Sequence, residues 1–371
     1  MGEPLAVPPP PPDPVEIAKQ EFKCGGCGAN LQYSPGTSVL KCPFCGRENQ
    51  LQVSAAPIVE HDLAELSLVP ATDATGFGTA TRQFKCDRCG ATTTLVGASM
   101  ATRCDFCASD VVVEAPPVAG MIRPESLVPF AFDKNAATRK FQAWLQGLWF
   151  RPGNLKRMAG LAQISGLYVP HFTYDANAFS QYTGEAGFYY NVTVGSGNNR
   201  RTERRVRWEH RSGTHQFFYD DELICASRGL PLKIMQKIYP YNLKGALVHY
   251  TPEYLSGFGA EAYTVDPREG WQMAGATMVN KEREACTRQI GGDTQRNVRV
   301  GTQLSNPKWK HVLLPAYVAS YVFGANTFRF MVNGQTGEVQ GEAPISWAKV
   351  GATVAVVVAA IVVITKLAGL W

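Results

Sequence analysis

The sequence predicts an α+β protein in three parts: two tandem cysteine-built modules, an antiparallel-sheet-rich α+β domain and one C-terminal transmembrane helix. Three observations lead there. Eight of the ten cysteines repeat one spacing, C-x2-C-x14-C-x2-C. Between residues 125 and 344, short strand patterns bounded by turn chemistry outnumber helical ones. Near the end, Val350–Thr365 is an uncharged run rich in Val, Ile and Ala.

Residues 1–20 read as a disordered arm, because Pro8–Pro12 favours extended polyproline II. The first module, residues 21–53, carries Cys24, Cys27, Cys42 and Cys45. The second, residues 82–115, carries Cys86, Cys89, Cys104 and Cys107. The copies also match around the cysteines: Phe22-Lys23-Cys24 answers Phe84-Lys85-Cys86, and Phe44 answers Phe106. Four thiolates at this spacing suit a tetrahedral Zn2+, with Ser34-Pro35-Gly36 turning the hairpin between the two pairs. Glycine follows three of the four C-x2-C turns, at Gly28, Gly46 and Gly90; Ala108 follows the fourth. A disulfide set would need an oxidising compartment, and residues 1–20 show no signal-peptide pattern. The expectation is two zinc ribbons, each holding one structural Zn2+. Chelation should then unfold residues 22–108 and leave the rest intact.

Residues 54–81 read as a loosely ordered linker. In the domain over 125–344, Asp133 or Asn135 caps a helix over 136–148, with Phe141, Trp144, Leu145 and Leu148 on its apolar face. Strands are expected at 167–174, 187–194 and 204–210, with a Gly/Ser/Asn turn at 195–199. Asp266-Pro267 opens a second helix that runs to about Gln289 and stops at Gly291-Gly292. Strands return at 312–317, 321–323 and 327–332, followed by Asn333-Gly334 turn chemistry. Residues 345–371 form the membrane span, flanked by Trp347, Lys366 and Trp371. Cys225 and Cys286 lie far from the repeats and read as buried small hydrophobes. Reduced thiolates place the bulk of the chain on the cytoplasmic side of an inner membrane.

The formal net charge is +5, but eight thiolates and two divalent ions bring it to about +1. That argues against a global nucleic-acid footprint. Locally, Arg200, Arg201, Arg204, Arg205, Arg207 and Arg211 form a basic stretch broken by Glu203 and Glu209. On a strand, Arg205 and Arg207 share one face, with Val206 and Trp208 on the other. Arg204, Arg205 and Arg207 are the candidate contacts to an anionic surface, either phosphate backbone or lipid headgroups. The chain has no Walker A motif, nucleophile elbow or His-Glu-x-x-His, so no enzyme is expected. His210, His215, Asp220, Asp221 and Glu222 form the one polar cluster that could gather around a metal.

Several runs resemble bacterial membrane proteins with TFIIB-type zinc ribbons, often labelled primosomal protein N-prime (replication factor Y)-like. The matching stretches are Phe141–Leu145 with Trp149–Pro152, Leu167–Phe172, Tyr182–Glu185, Thr251–Phe258, Ile290–Asp293, Lys310–Pro315 and Val332–Glu342. The resemblance implies a ribbon, domain, membrane order. It also implies an adaptor or scaffold role beside phage-shock-type or flotillin-like scaffolds in membrane stress or organisation, with no catalytic residue to carry over. The alternative implied by the label is a nucleic-acid-binding protein linked to replication.

Overall fold

The computed structural model describes residues 22–52, 54, 56–67, 81–87, 92–96, 104, 112–115, 122–152, 164–230, 232–323 and 326–367. The proline arm, Cys89, Cys107 and Trp371 lie outside the described residues.

The first module folds as a three-stranded antiparallel sheet: β1 (Gln32–Tyr33), β2 (Val39–Lys41) and β3 (Glu48–Gln50). After it come β4 (His61–Asp62) and a 3-10 turn at Leu63–Ser67. The second module supplies β5 (Thr81–Cys86), β6 (Thr92–Val96) and β7 (Val112–Ala115). The domain follows with β8 (Ser126–Leu127), helix α1 (Lys134–Gly147), β9 (Ser165–Val194) and β10 (Arg201–Cys225). Then come α2 (Leu232–Lys237), β11 (Val248–His249), β12 (Gly259–Glu261) and α3 (Pro267–Ile290). Last are β13 (Thr294–Phe323), β14 (Asn326–Asn333), β15 (Val339–Gly341) and α4 (Trp347–Leu367). This is the antiparallel-rich α+β architecture expected, with a cysteine cluster and one C-terminal apolar helix.

Strand length departs from expectation. The segments read as 167–174 and 187–194 are parts of one 30-residue strand, β9. A second 30-residue strand, β13, pairs antiparallel along one edge of β9, and 25-residue β10 pairs along the other. The paired long strands are interrupted by bulges and not by turns. Register shifts occur at Tyr219/Glu222, Arg296/Arg299 and Ser305/Lys308. Within them Asp221, Asn297 and Asn306 take positive φ (59, 54 and 53°), which Asp and Asn tolerate best among side-chain-bearing residues. Pro307 sits in one of these irregularities, where its missing N–H costs no ladder bond.

The helices start where the caps predict. Asp133 Oδ1 accepts from Ala136 N at 2.8 Å, and Asp266 Oδ1 from Arg268 N at 2.8 Å. Helix α3 ends against Gly291 and lies on one face of the long strands, burying Ala274, Met278, Glu282 and Cys286. In α1, Phe141 stacks on Phe330 of β14.

Neither module stands apart from the domain. Leu31, Tyr33 and Leu40 share one buried cluster with Phe130, Phe141, Tyr168, Tyr317 and Phe330. Three hydrogen bonds seal the contact: Tyr33 N donates to Ser256 O (2.9 Å), Ser256 Oγ to Leu31 O (3.0 Å) and Gly36 N to Phe130 O (2.8 Å). Gly36 is needed there, since its φ is +77° and a Cβ would sit 2.8 Å from Ala131 O. The second module joins the main sheet directly, because β6 pairs with β12, which pairs parallel with β9. Cys86 and Cys104 are buried in a cluster with Leu167, Val312 and Met331. Residues 54–67, read as linker, are partly built in: β4 pairs with β13, and Leu63 and Leu66 pack under α3.

Candidate metal centre

Cys24, Cys27, Cys42 and Cys45 converge, with all four sulfurs within 4.8 Å of one another. Each pair comes from a tight turn, and the two turns have the same internal bonds. Gly28 N donates to Cys24 O (2.9 Å) and Gly46 N to Cys42 O (3.0 Å); Cys24 N donates to Ala29 O and Cys42 N to Arg47 O, both at 2.8 Å. Gly28 and Gly46 close the turns at φ +73 and +74°, a backbone state that costs glycine nothing. The local sequence therefore dictates both turns, and the β1–β2 hairpin brings them face to face.

The cross pairs, Cys24–Cys45 and Cys27–Cys42, lie 3.4 Å apart. That is far beyond a disulfide bond of about 2.05 Å. It is close to the edge of about 3.8 Å in a tetrahedron with metal–sulfur bonds of 2.3 Å. Gly26 N and Cys45 N each approach a sulfur at 3.5 Å, on Cys24 and Cys42. The backbone N–H of Cys45 leads in drawing the Cys42 thiol down to about 6, and that of Gly26 leads in lowering Cys24. Cys27 goes the other way, to about 12: the Ala29 N–H pulls it down, but the neighbouring Cys42 and Cys45 sulfurs outweigh that pull. Four sulfurs this close cannot all be anionic without a cation between them. The donor set fits a metal ion, and the four cysteines would be its ligands. For the second set, Cys86 and Cys104 are both buried, while Cys89 and Cys107 lie outside the described residues.

The site has a buried side and an outer side. Cys24 and Cys42 are buried; Cys27, Cys45 and both turn tips are exposed. At the second tip Phe44 is 81% exposed. Arg47 reaches back over the first tip, 3.4 Å from where a Cβ on Gly26 would lie.

The polar cluster read at 210–222 does not gather around one point. Asp220 pairs with Lys244 (2.9 Å), Asp221 with Lys310 (2.6 Å) and Glu222 with Lys281 (2.5 Å), while His210 is exposed. Strand alternation and the bulge at Asp221 send the three carboxylates to different cations. His215 takes yet another partner, the buried Glu282, donating from Nδ1 at 2.8 Å. Cys286 lies beside that carboxylate, one helical turn along α3, so it sits in a polar pocket as well as being buried. Burial opposes ionisation of Glu282. Hydrogen bonds from His215, Ser180 (2.7 Å) and Tyr219 (3.0 Å) outweigh it and hold the carboxyl below the usual range. A carboxylate already bonded three times is a satisfied core group and a poor cation ligand.

A second acidic group, absent from the sequence reading, lies under β4: Glu60, Asp175 and Asp221 converge on Lys310. Lys310 is itself buried, so it serves as the resident cation. These residues are 250 positions apart at the extreme, and the pairing of β13 with β4 and β9, and of β9 with β10, unites them.

The arginines occupy the hairpin end of β9 and β10. Arg205 and Arg207 lie opposite Tyr190 and Phe188, while Arg204 lies opposite Asn191 and so points to the other face. Arg205 and Arg207 are exposed, Val206 and Trp208 half-buried, as alternation requires. Arg204 stacks over Tyr189, 3.4 Å from the ring centre, and Arg296 covers Trp208 at 4.0 Å. Glu203 lies 3.6 Å from Arg205, and Glu209 pairs with Arg207 at 3.0 Å.

At the opposite end of the long strands, α4 has 21 residues, a mean hydropathy of 2.4 and no burial against the domain. It is long and apolar enough to span a membrane, since 21 residues rise about 31 Å against a hydrocarbon core of about 30 Å.

No family model matches the chain, and no solved structure does. The chain is similar to the uncharacterized protein YdjG of Bacillus subtilis (strain 168), at 25% identity over 338 residues, covering 89% of this chain and 92% of the relative.

Proposed function

We propose that the chain is a membrane-anchored, zinc-binding adaptor that presents protein-docking surfaces on the cytoplasmic side of the inner membrane. The carrying observation is the two-sided first ribbon: one edge is built into the domain core, and the other turns the metal knuckles and Phe44 outward. Phe44 there offers an apolar contact beside the exposed turn tips, on the side of the module that faces away from the domain. Zinc is the ion that four cysteines at this spacing select, and a closed tetrahedral shell makes it structural. A second zinc on Cys86, Cys89, Cys104 and Cys107 completes the reading. Anionic sulfurs require a reducing compartment, which gives the orientation. No catalysis is assigned. Scaffolds of the phage-shock or flotillin-like type are the proposed partner class, on the resemblance.

A replication-linked nucleic-acid role is the second reading. It is favoured by the arginine- and aromatic-rich hairpin end, which stands at the far end of β9 from the membrane helix. At about 3.3 Å per residue, the 30 residues of β9 have a contour near 100 Å. That distance favours a soluble partner there over headgroups of the anchoring bilayer.

The experiment compares detergent-solubilised wild type with Phe44→Ser and with Arg205→Ala/Arg207→Ala. Zinc is first counted by elemental analysis, and two ions per chain are expected. Retention of a scaffold of the named classes by wild type, lost in Phe44→Ser at unchanged zinc content, supports the adaptor. Salt-sensitive DNA retention, lost only in the arginine variant, supports the second reading. Deleting residues 22–108 would be uninformative, because it removes Leu31, Tyr33, Leu40 and Phe84 from the core.

A further inference from the structure

Between α1 and Pro152 the chain exposes two large aromatic side chains side by side. Trp149 is 74% exposed and Phe150 is also in solvent. Nothing in the domain core requires them there, because α1 has already buried its apolar face through Ala137, Phe141 and Leu145. The loop is, however, fastened to the start of the apolar helix. Ser346 N donates to Phe150 O at 2.8 Å, and Lys349 Nζ donates to Trp149 O at 3.2 Å. Arg151 Nη1 donates to Ala343 O at 2.5 Å. These three bonds hold Trp149 and Phe150 at the level of the first turn of α4, where Trp347 is 76% exposed and Ile345 is also exposed. Segments about 200 positions apart in the chain thus bring their exposed apolar side chains to one end of α4, together with the cations Arg151 and Lys349.

We propose that Trp149 and Phe150, together with Trp347, form an aromatic foot that lies in the headgroup region of the bilayer where α4 enters. The inference rests on reading α4 as a membrane span and adds the side of the domain that faces the lipid. Two physical reasons select lipid as the occupant. Tryptophan is favoured at the membrane–water boundary, where its ring meets the acyl edge and its N–H stays wet. Arginine and lysine beside it match anionic headgroups. The patch also adjoins the start of a helix that buries none of its residues against the domain. The consequence is mechanical. A single helix alone leaves a domain free to swing about its anchor. A second contact tied to the helix's first turn fixes which face points down and keeps the long strands directed away from the membrane.

The test uses the full chain reconstituted into phosphatidylcholine–phosphatidylglycerol vesicles, with and without lipids brominated high on the acyl chain. Bromine quenches tryptophan only at close range, so Trp149→Phe, which preserves the aromatic patch, isolates one ring among the seven tryptophans. The expected result is a loss of quenched signal in Trp149→Phe relative to wild type, with unchanged thermal melting. Aqueous acrylamide quenching should be equal in the two proteins. If bromine quenching is the same in both, or the missing signal is one that acrylamide reaches, the foot is overturned while the span stands. If the full chain fails to float with the vesicles, the membrane reading itself fails and the foot with it.

Discussion

Asp175 is the residue whose titration the fold alters most legibly. Burial leads in raising its carboxyl to about 7, and the hydrogen bond it shares with Glu60 adds to this. Glu60, with Lys310 beside it, is held below its ordinary range despite its own burial. One proton is therefore kept on Asp175. Between about pH 4, where the unfolded side chain ionises, and about pH 7, the native state holds a proton the unfolded chain has released. Unfolding free energy should accordingly fall as pH rises across that window. Asp175→Asn should flatten the slope, and denaturant titrations at pH 4.5, 6 and 7.5 would measure it. An unchanged slope in the variant would show that Asp175 ionises normally. None of this was legible in sequence, where Asp221 was grouped with its chain neighbours and Glu60, Asp175 and Lys310 carried no signal of meeting it. The cysteine ligands were legible, because a C-x2-C turn is a local structure and two of them need only a short hairpin to meet.

Among the elements, the cap-bounded helices were readable to within a residue or two, since Asp133 and Asp266 act on backbone N–H groups two or three positions away. The long strands were not. Their pairing is non-local, and Asn297, Asn306 and Pro307 lie in register shifts that no short strand pattern announces. The docking of the first ribbon also had no sequence signal. Tyr33 is 3% exposed and meets Tyr254 edge-on at 5.0 Å between ring centres. Tyr33→Ala should cost about 3–5 kcal/mol, the range for emptying a large aromatic site. It should also free the ribbon edge while leaving the cysteine turns able to bind metal. Limited trypsin digestion would show the change as faster cleavage after Lys41, at unchanged zinc stoichiometry. A loss of zinc in step with the faster cleavage would mean that ribbon and domain fold as one unit.

For the whole molecule, the shared core changes what metal removal does. Independent ribbons would unfold on chelation and leave residues 125–344 untouched. Here Cys24 and Cys42 belong to the cluster that holds Phe130, Tyr168 and Tyr317, and β6 reaches β9 through β12. Chelation should therefore lower the melting temperature of the domain as well. Hydrogen exchange should speed up in β12 and around Tyr254–Phe258 as well as in residues 22–52. Protection confined to its original level in β12 would restore the picture of detachable modules. The apolar helix α4 stands outside this cooperation, since it buries no residue against the domain.

Short-range chemistry could be read directly from residue order: the metal ligands, the helix caps, the turn at 195–199 and the apolar span. Each depends on neighbours within about twenty positions or on composition alone. Folding had to settle the rest, because it depends on which distant surfaces meet. The two cysteine modules were built into separate buried clusters of the domain, the 210–222 residues were divided among different partners, and a carboxylate group drawn from three segments gathered beside Lys310. Trp149 and Phe150, which entered the sequence reading only through the resemblance, were carried to the first turn of α4. Burial and strand pairing reward contacts without regard to sequence separation, so no local pattern announced these meetings.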